Sequence, residues 1–431
     1  MSKISIDHKN FMGIIENYYN NIERLESFIT LVNYTISMKA KTILEMQHEE
    51  LLLGLIVNIY REDNVEYEKI AEDYNQKLNQ IGIKSGFKYN DIETLISKLE
   101  SEEYEEKIIK VANDVKITRE QSDHLYESSL ISLITYFELL INNLIKEYSE
   151  INQYMLGINE KKLSYDELLK LGSVDDALNY IKDKEIEKLM YMGFKNWMHF
   201  LDTKIGIKAE LIKEKIEEVN EIINKRHLLI HNGGIINATF LKNVDNKLIL
   251  DMKIGDRIII EEKYILDSIE LIKRYGTIIS LHIWKSAEKK SELRESFLAQ
   301  HSLKFIEKGE YLIARDLLLF VEKEPCDEES KLISKINYWQ TFKWNNEFDK
   351  VRKEIERFDF SAKSKKFQLC KLVLLDQHEE FIDEIIDKGL PEGITTESLN
   401  TWPLFRKLRK TKRFKELLKR LAEKKQNNNR E

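Results

Sequence analysis

In the stretch KAELIKEKIEEVNEIINKRHLLIHNGG, residues 208–234, the apolar residues Leu211, Ile212, Ile216, Val219, Ile222 and Ile223 recur at short helical steps. That period places them on one face of a helix. The pattern predicts a strong helix from about Lys208 to His231. Asn232-Gly233-Gly234 then supplies a stop, because glycine takes the left-handed conformation that closes a helix at little cost.

The same logic extends outward in both directions. Proline occurs only at Pro325, Pro391 and Pro403, so residues 1–324 contain no helix breaker of that kind. Upstream, Leu130, Ile134, Phe137, Ile141, Leu144 and Ile145 form a second amphipathic helix. Glu138 lies on its apolar stripe, where a carboxylate must find a partner or stay protonated. Near the N-terminus, Phe11, Ile15, Tyr18, Ile22, Leu25, Ile29, Val32, Ile36, Ala40 and Ile43 keep alternating steps of four and three. Such a seam serves either packing within the chain or a dimerising coiled coil. After Glu62-Asp63 the pattern resumes in shorter helices, with Asn90-Asp91-Ile92-Glu93 reading as a helix start. Downstream, residues 246–261 (NKLILDMKIGDRIIIE) alternate around a Gly255-Asp256 turn and predict a small β-hairpin. A further helix is expected over about Tyr264 to Trp284.

The last third repeats. Tyr311, Phe348, Phe381 and Phe414 each follow a polar turn and open a helical pattern, at spacings of 37, 33 and 33 residues. A period near 34 with two helices per unit resembles a degenerate tetratricopeptide-type solenoid, which implies a protein partner held on the repeats. The expected fold class is therefore mostly α. Long N-terminal helices occupy 1–120, a central helical bundle with a small β-hairpin insertion 121–288, helical-hairpin repeats 289–425 and a disordered tail 426–431.

Composition narrows the function classes. The chain is 42% apolar and 33% charged, a globular balance. Its longest apolar run, Leu51 to Tyr60, is about half of what a membrane span requires. No membrane partner and a cytoplasmic location are expected. Cys326 and Cys370 match no metal-binding spacing and read as reduced thiols. A net charge of −7 argues against a generally basic nucleic-acid binder, yet Arg406 to Lys425 holds eleven Lys or Arg against two Glu. That basic segment is either a solvated helix face or a contact for RNA phosphates.

Chemistry concentrates at the end of the opening stretch. Arg226 is followed by the polar His227, then His231, Asn232, Gly233 and Gly234, with Asn237, Phe240 and Leu241 beyond. An Arg and a His at a similar spacing also occur as Arg119/His124 and Arg294/His301, so spacing alone does not select a pair. The context does: RxxxxHNGGxxN, a short insertion and a closing helix. Over about residues 122–286 this resembles a bacterial branch of the HEPN ribonucleases.

The resemblance implies a metal-independent endoribonuclease with a role in anti-phage defence or as a toxin. It implies Arg226 and His231 as catalytic residues, supported by His227, Asn232 and Glu138. No cofactor and no metal are expected. The substrate would be RNA (tRNA, rRNA or mRNA), and the site would be shared in a homodimer formed through this domain. On a regular helix Arg226 and His231 diverge by about 140°, so fraying at Asn-Gly-Gly is expected to bring them together. Two other classes remain open: a catalytically silent HEPN domain that binds RNA or a nucleotide, and a pure scaffold. His227 and His231, one turn apart, also have the spacing of zinc ligands, but Leu228 stands where a zinc protease places its glutamate.

Overall fold

The computed structural model describes residues 9–46, 76, 102–208, 210–324 and 326–428. The apolar run 51–60, the break at 62–63 and the helix start at 90–93 lie outside the described residues. Those described form α1 (Lys9–Met46), α2 (Glu102–Ile151), α3 (Tyr165–Leu171), α4 (Val174–Tyr191), α5 (Phe194–Ile205), α6 (Glu210–Glu214), α7 (Ile216–Asn232), α8 (Ala238–Asn243) and α9 (Glu262–Ala287). There follow α10 (Glu292–Lys308), α11 (Tyr311–Val321), α12 (Glu328–Trp344), α13 (Asp349–Arg357), α14 (Lys365–Leu374), α15 (His378–Lys388), α16 (Thr396–Thr401) and α17 (Lys412–Asn428). The fold class is mostly α, as the periodicities predict. The last helix runs through 426–428, where the tail was expected to begin, and 429–431 lie outside the described residues.

Two expectations are corrected. The helix foreseen over 208–231 is divided at Lys215. The Tyr275 hydroxyl donates to Ile212 O at 3.2 Å, and that carbonyl is the one a continuous helix would offer to the Ile216 amide. The β-hairpin foreseen over 246–261 does not form. Ile249, Met252 and Asp256 donate their amides three residues back, to Asn246, Ile249 and Lys253. The segment pairs instead with residues following α7: Ile236 N donates to Asp256 O at 2.8 Å and Ile258 N to Gly234 O at 2.9 Å. An isolated antiparallel bridge joins Ile235 and Arg257. Ile258 and Ile260 are buried while Ile259 is exposed, so the alternation is real. A period of two describes a strand's two faces but does not say which chain segment it pairs with.

Contacts divide the chain into two compact units, each built from separate stretches. One comprises residues 18–139 and 216–272. Its core holds Tyr18, Ile22, Leu25 and Ile29 of α1, Leu130, Ile134 and Phe137 of α2, Val219, Ile222 and Ile223 of α7, and Ile265 and Ile269 of α9. Tyr18 donates its hydroxyl to Ile272 O at 2.7 Å, and Asn33 bonds both Tyr126 and Glu262 at 2.9 Å. The first six positions of the N-terminal seam, Phe11 to Ile29, are thus buried within the chain itself. Within α2, Ile109–Ile151 is apolar and long enough to cross a membrane by composition, and half of its most apolar window is buried inside the protein.

The other unit comprises residues 1–17, 140–215 and 273–431. Phe11 stacks on Trp284 with ring centroids 6.3 Å apart. Three helical hairpins follow: α10/α11, α12/α13 and α14/α15. Each turns on a residue in the left-handed region: Gly309 (φ 84°), Asn346 (φ 58°) and Asp376 (φ 60°). Asn and Asp tolerate that region better than other side chains. In each turn the next amide reaches back to a carbonyl of the first helix: Glu310 to Phe305 at 2.9 Å, Glu347 to Phe342 at 2.8 Å and Gln377 to Leu372 at 2.8 Å. Of the repeat aromatics, Phe381 and Phe414 are core residues and Tyr311 and Phe348 are half-buried. A cavity of about 650 Å³ opens among these helices, lined by Glu295, Ser302, Asn337, Lys366 and Trp402. Both cysteines are free, and burial pushes the Cys370 thiol up to about 12.

Arg294 is wholly buried. It donates to Glu324 Oε2 at 2.6 Å and to the carbonyls of Glu288 and Lys289 at 2.8 and 3.2 Å. Lys285 reaches Glu324 Oε1 at 3.0 Å. Removing one member of a buried pair leaves an uncompensated charge. Glu324→Ala should therefore lower unfolding free energy by about 3–5 kcal/mol in urea denaturation. A loss below about 1 kcal/mol would show that the cluster tolerates the vacancy.

Candidate functional site

The site grows from α7. One turn before Arg226, Glu221 and Lys225 are buried as an ion pair at 2.6 Å. Tyr264 of α9 donates its hydroxyl to Glu221 Oε2 at 2.6 Å, and Lys225 lies 3.8 Å from the Tyr264 ring centroid. Burial, with the neighbouring Glu221 charge, pushes the Tyr264 phenol well above its ordinary range. Asn220 donates to Asn243 O at 2.8 Å at the end of α8. These contacts fix the rotation of α7. The sequence reading missed them, although Glu221 and Lys225 stand at i and i+4 beside the apolar stripe.

That rotation turns Arg226 towards α2. Its Nη2 donates to Glu138 Oε2 at 3.1 Å, with 16% and 25% of the two side chains exposed. Burial raises the Glu138 carboxyl above its ordinary value, and the Arg226 charge pulls against that shift. Arg226 Nε is also buried, with no hydrogen-bond acceptor. The guanidinium is therefore held from one end only.

His227 and His231 follow one turn apart, both exposed, with ring centroids 6.0 Å apart and planes inclined by 20°. Partial desolvation, then the charges of Arg226 and His231, hold the His227 imidazole below its ordinary value. His227 is thus kept neutral near pH 7, able to accept a proton or a hydrogen bond.

The helix end is closed. Gly233 (φ 56°) and Gly234 (φ 79°) are left-handed, and Gly234 N donates to Leu228 O at 2.9 Å. Asn232 Nδ2 donates to Ile235 O at 2.5 Å, which makes it a holder of the turn. Arg257 fastens the same turn by donating to Gly233 O at 2.9 Å and to Glu127 at 2.8 Å. Asn237 caps α8 by accepting from Phe240 N at 2.9 Å. Arg257 and Glu127 were missed in the sequence because Arg257 belonged to the supposed hairpin.

The expected fraying at His231 is corrected. α7 stays helical through Asn232, so Arg226 and His231 diverge by about 140°, and no hydrogen bond or ion pair joins them within one chain. The structure therefore brings together Arg226 with Glu138, and His227 with His231.

The rival pairs separate on environment. Arg119 and His124 are exposed on α2. Arg294 is sealed in its buried cluster, and His301 packs on Phe297 at 4.1 Å beside Glu16. Among the described residues no three His, Cys, Asp or Glu side chains are grouped to hold a metal ion. Comparison of the chain with protein families, with curated proteins and with solved structures finds no match.

The arrangement offers a fixed positive fork at a helix surface and two accessible imidazoles at its end. A guanidinium suits a phosphate through its planar donors, and an imidazole suits proton transfer. Replacing Arg226 by Gln removes a positive neighbour, so the His227 pKa should rise towards its ordinary value. An NMR titration of the imidazole Cε1–H signals reads that shift. A His227 titration unmoved by the substitution would contradict the charge coupling.

Proposed function

We propose that the chain is a metal-independent endoribonuclease of HEPN type that cuts RNA by attack of the 2′-OH on the adjacent phosphate. The observation that carries this reading is the α7 terminus. There a guanidinium anchored by Glu138 shares a helix with an exposed imidazole pair beside a closed Asn-Gly-Gly turn.

In the reaction, Nε2 or Nδ1 of His231 takes the proton of the attacking 2′-OH as the oxygen bonds to phosphorus. Arg226 neutralises charge on the phosphorane oxygens. The P–O5′ bond then breaks, and the leaving oxygen takes its proton from a protonated imidazole, His231 of a second copy of the chain. One histidine does not easily serve as base and acid together, and Arg226 and His231 diverge within one chain. Both points favour a homodimer whose two α7 ends share one phosphodiester. The products are a 2′,3′-cyclic phosphate and a 5′-OH. A role in anti-phage defence or as a toxin is part of the proposal, resting on family resemblance.

The Arg226–Glu138 bond also suits a domain that binds RNA without cutting it. The two readings part on His231→Ala, incubated with total tRNA and rRNA beside the wild type and followed by mapping of new ends. Cleavage should fall by at least about 100-fold with fold and dimer intact. The wild type should keep its activity in EDTA. Undiminished cutting by the variant sinks the assignment, and RNA binding with no cleavage by either protein selects the silent binder.

A further inference from the structure

The eleven cations between Arg406 and Lys425 do not share one fate. Arg406 donates to the Tyr311 hydroxyl at 3.1 Å and lies 5.4 Å from the Trp344 ring. Arg409 donates to the carbonyls of Leu399 and Trp402, both at 3.0 Å. Arg413 pairs with Glu379 and Asp383, and Lys407 reaches Asp376 at 3.4 Å. These four hold the repeat unit together.

Lys410, Lys412, Lys415, Lys419 and Arg420 are exposed and, among the described residues, make no hydrogen bond or ion pair. Lys412, Lys415 and Lys419 are spaced by three and four residues, which forms one stripe about 10 Å long on α17. Glu416 and Glu423, the two acids of that helix before its last residues, form no ion pair with them either.

We propose that this stripe of α17 is a docking surface for the phosphate backbone of RNA. Three classes of partner could meet an exposed basic helix. An anionic membrane surface holds such a helix by its apolar face. Here that face is already used: Phe414 and Leu417 are buried, and Leu418 and Leu421 pack on the same core. A protein partner is anchored by aromatic or apolar side chains in pockets. At 412, 415, 419 and 420 the exposed face of α17 presents cations and no apolar side chain. A polyanionic backbone asks for that pattern alone, since its affinity comes from counterion release. In a chain of net charge −7, local density of unpaired cations is what allows such binding. The choice of RNA as the polyanion rests on the proposed function; the existence of the surface rests on α17.

The test uses the full chain carrying His231→Ala, so that binding is read without cutting. Fluorescence anisotropy with a single-stranded RNA of mixed sequence is followed over about 50–200 mM salt. Lys412→Gln, Lys415→Gln and Lys419→Gln together should lower the slope of log K against log salt by about 2 units. Affinity at low salt should fall on the order of tenfold. A control removing equal charge at exposed sites of the same unit, Lys289→Gln, Lys290→Gln and Lys353→Gln, should leave the slope in place. The altered positions are solvent-exposed, and circular dichroism checks that each variant is folded. An unchanged slope in the α17 variant, an equal drop in the control, or wild-type binding to anionic phospholipid vesicles in place of RNA overturns the proposal. Failure of the ribonuclease reading shows in the cleavage assay and leaves this binding measurement intact.

Discussion

Glu138 lies on the apolar stripe of α2, and an ionised carboxylate in that position carries a desolvation cost that only a close cation offsets. Arg226 supplies it at 3.1 Å. The pair constrains more than its own two side chains. It ties α7 to α2, complements the Glu221–Lys225–Tyr264 network that ties α7 to α9, and sets the direction in which the guanidinium leaves the helix. With that direction set, His231 lies about 140° away, and His227 takes the place between them on the helix. The lowered basicity of His227 comes first from its partial desolvation and then from this placement, since a fixed cation beside an imidazole disfavours its protonated form.

The end of α7 shows a second constraint. Two left-handed glycines loosen a helix terminus only if nothing else binds it. Here Gly234 N closes on Leu228 O, Asn232 closes on Ile235 O, and Arg257 crosses from Glu127 to Gly233 O. Each bond satisfies a polar group left over at the helix end. The turn is therefore a built cap. It presents His231 to solvent from a regular helix rather than folding it back towards Arg226.

Within the site, the local features were legible: the amphipathic face of α7, the stop at Asn-Gly-Gly, and the need of Glu138 for a partner. The contacts that orient them were not. Glu138 and Arg226 are 88 residues apart, and Arg257 and Glu127 are 130 apart. No periodicity within either element encodes such a separation. The hairpin misreading has the same root. Ile258, Ile259 and Ile260 alternate between core and solvent as a strand should, but the Ile258 amide bonds to Gly234 O after α7 and not to the segment that precedes it.

The sequence by itself determined the mostly helical class, the stop after His231 at Asn-Gly-Gly, the polar turns that open helices in the last third, and which side chains could bear chemistry. These are short-range matters, decided by the 3.6-residue period and by the backbone freedom of Gly, Asn and Asp. Tertiary structure alone decided where the helix over 208–231 breaks, which cations are spent on carboxylates and carbonyls, and which stay free on α17. It also decided that Arg294 is sealed while His231 is open. Burial and pairing depend on what a distant part of the chain brings alongside, and a charged side chain costs or contributes energy only once that neighbour is in place.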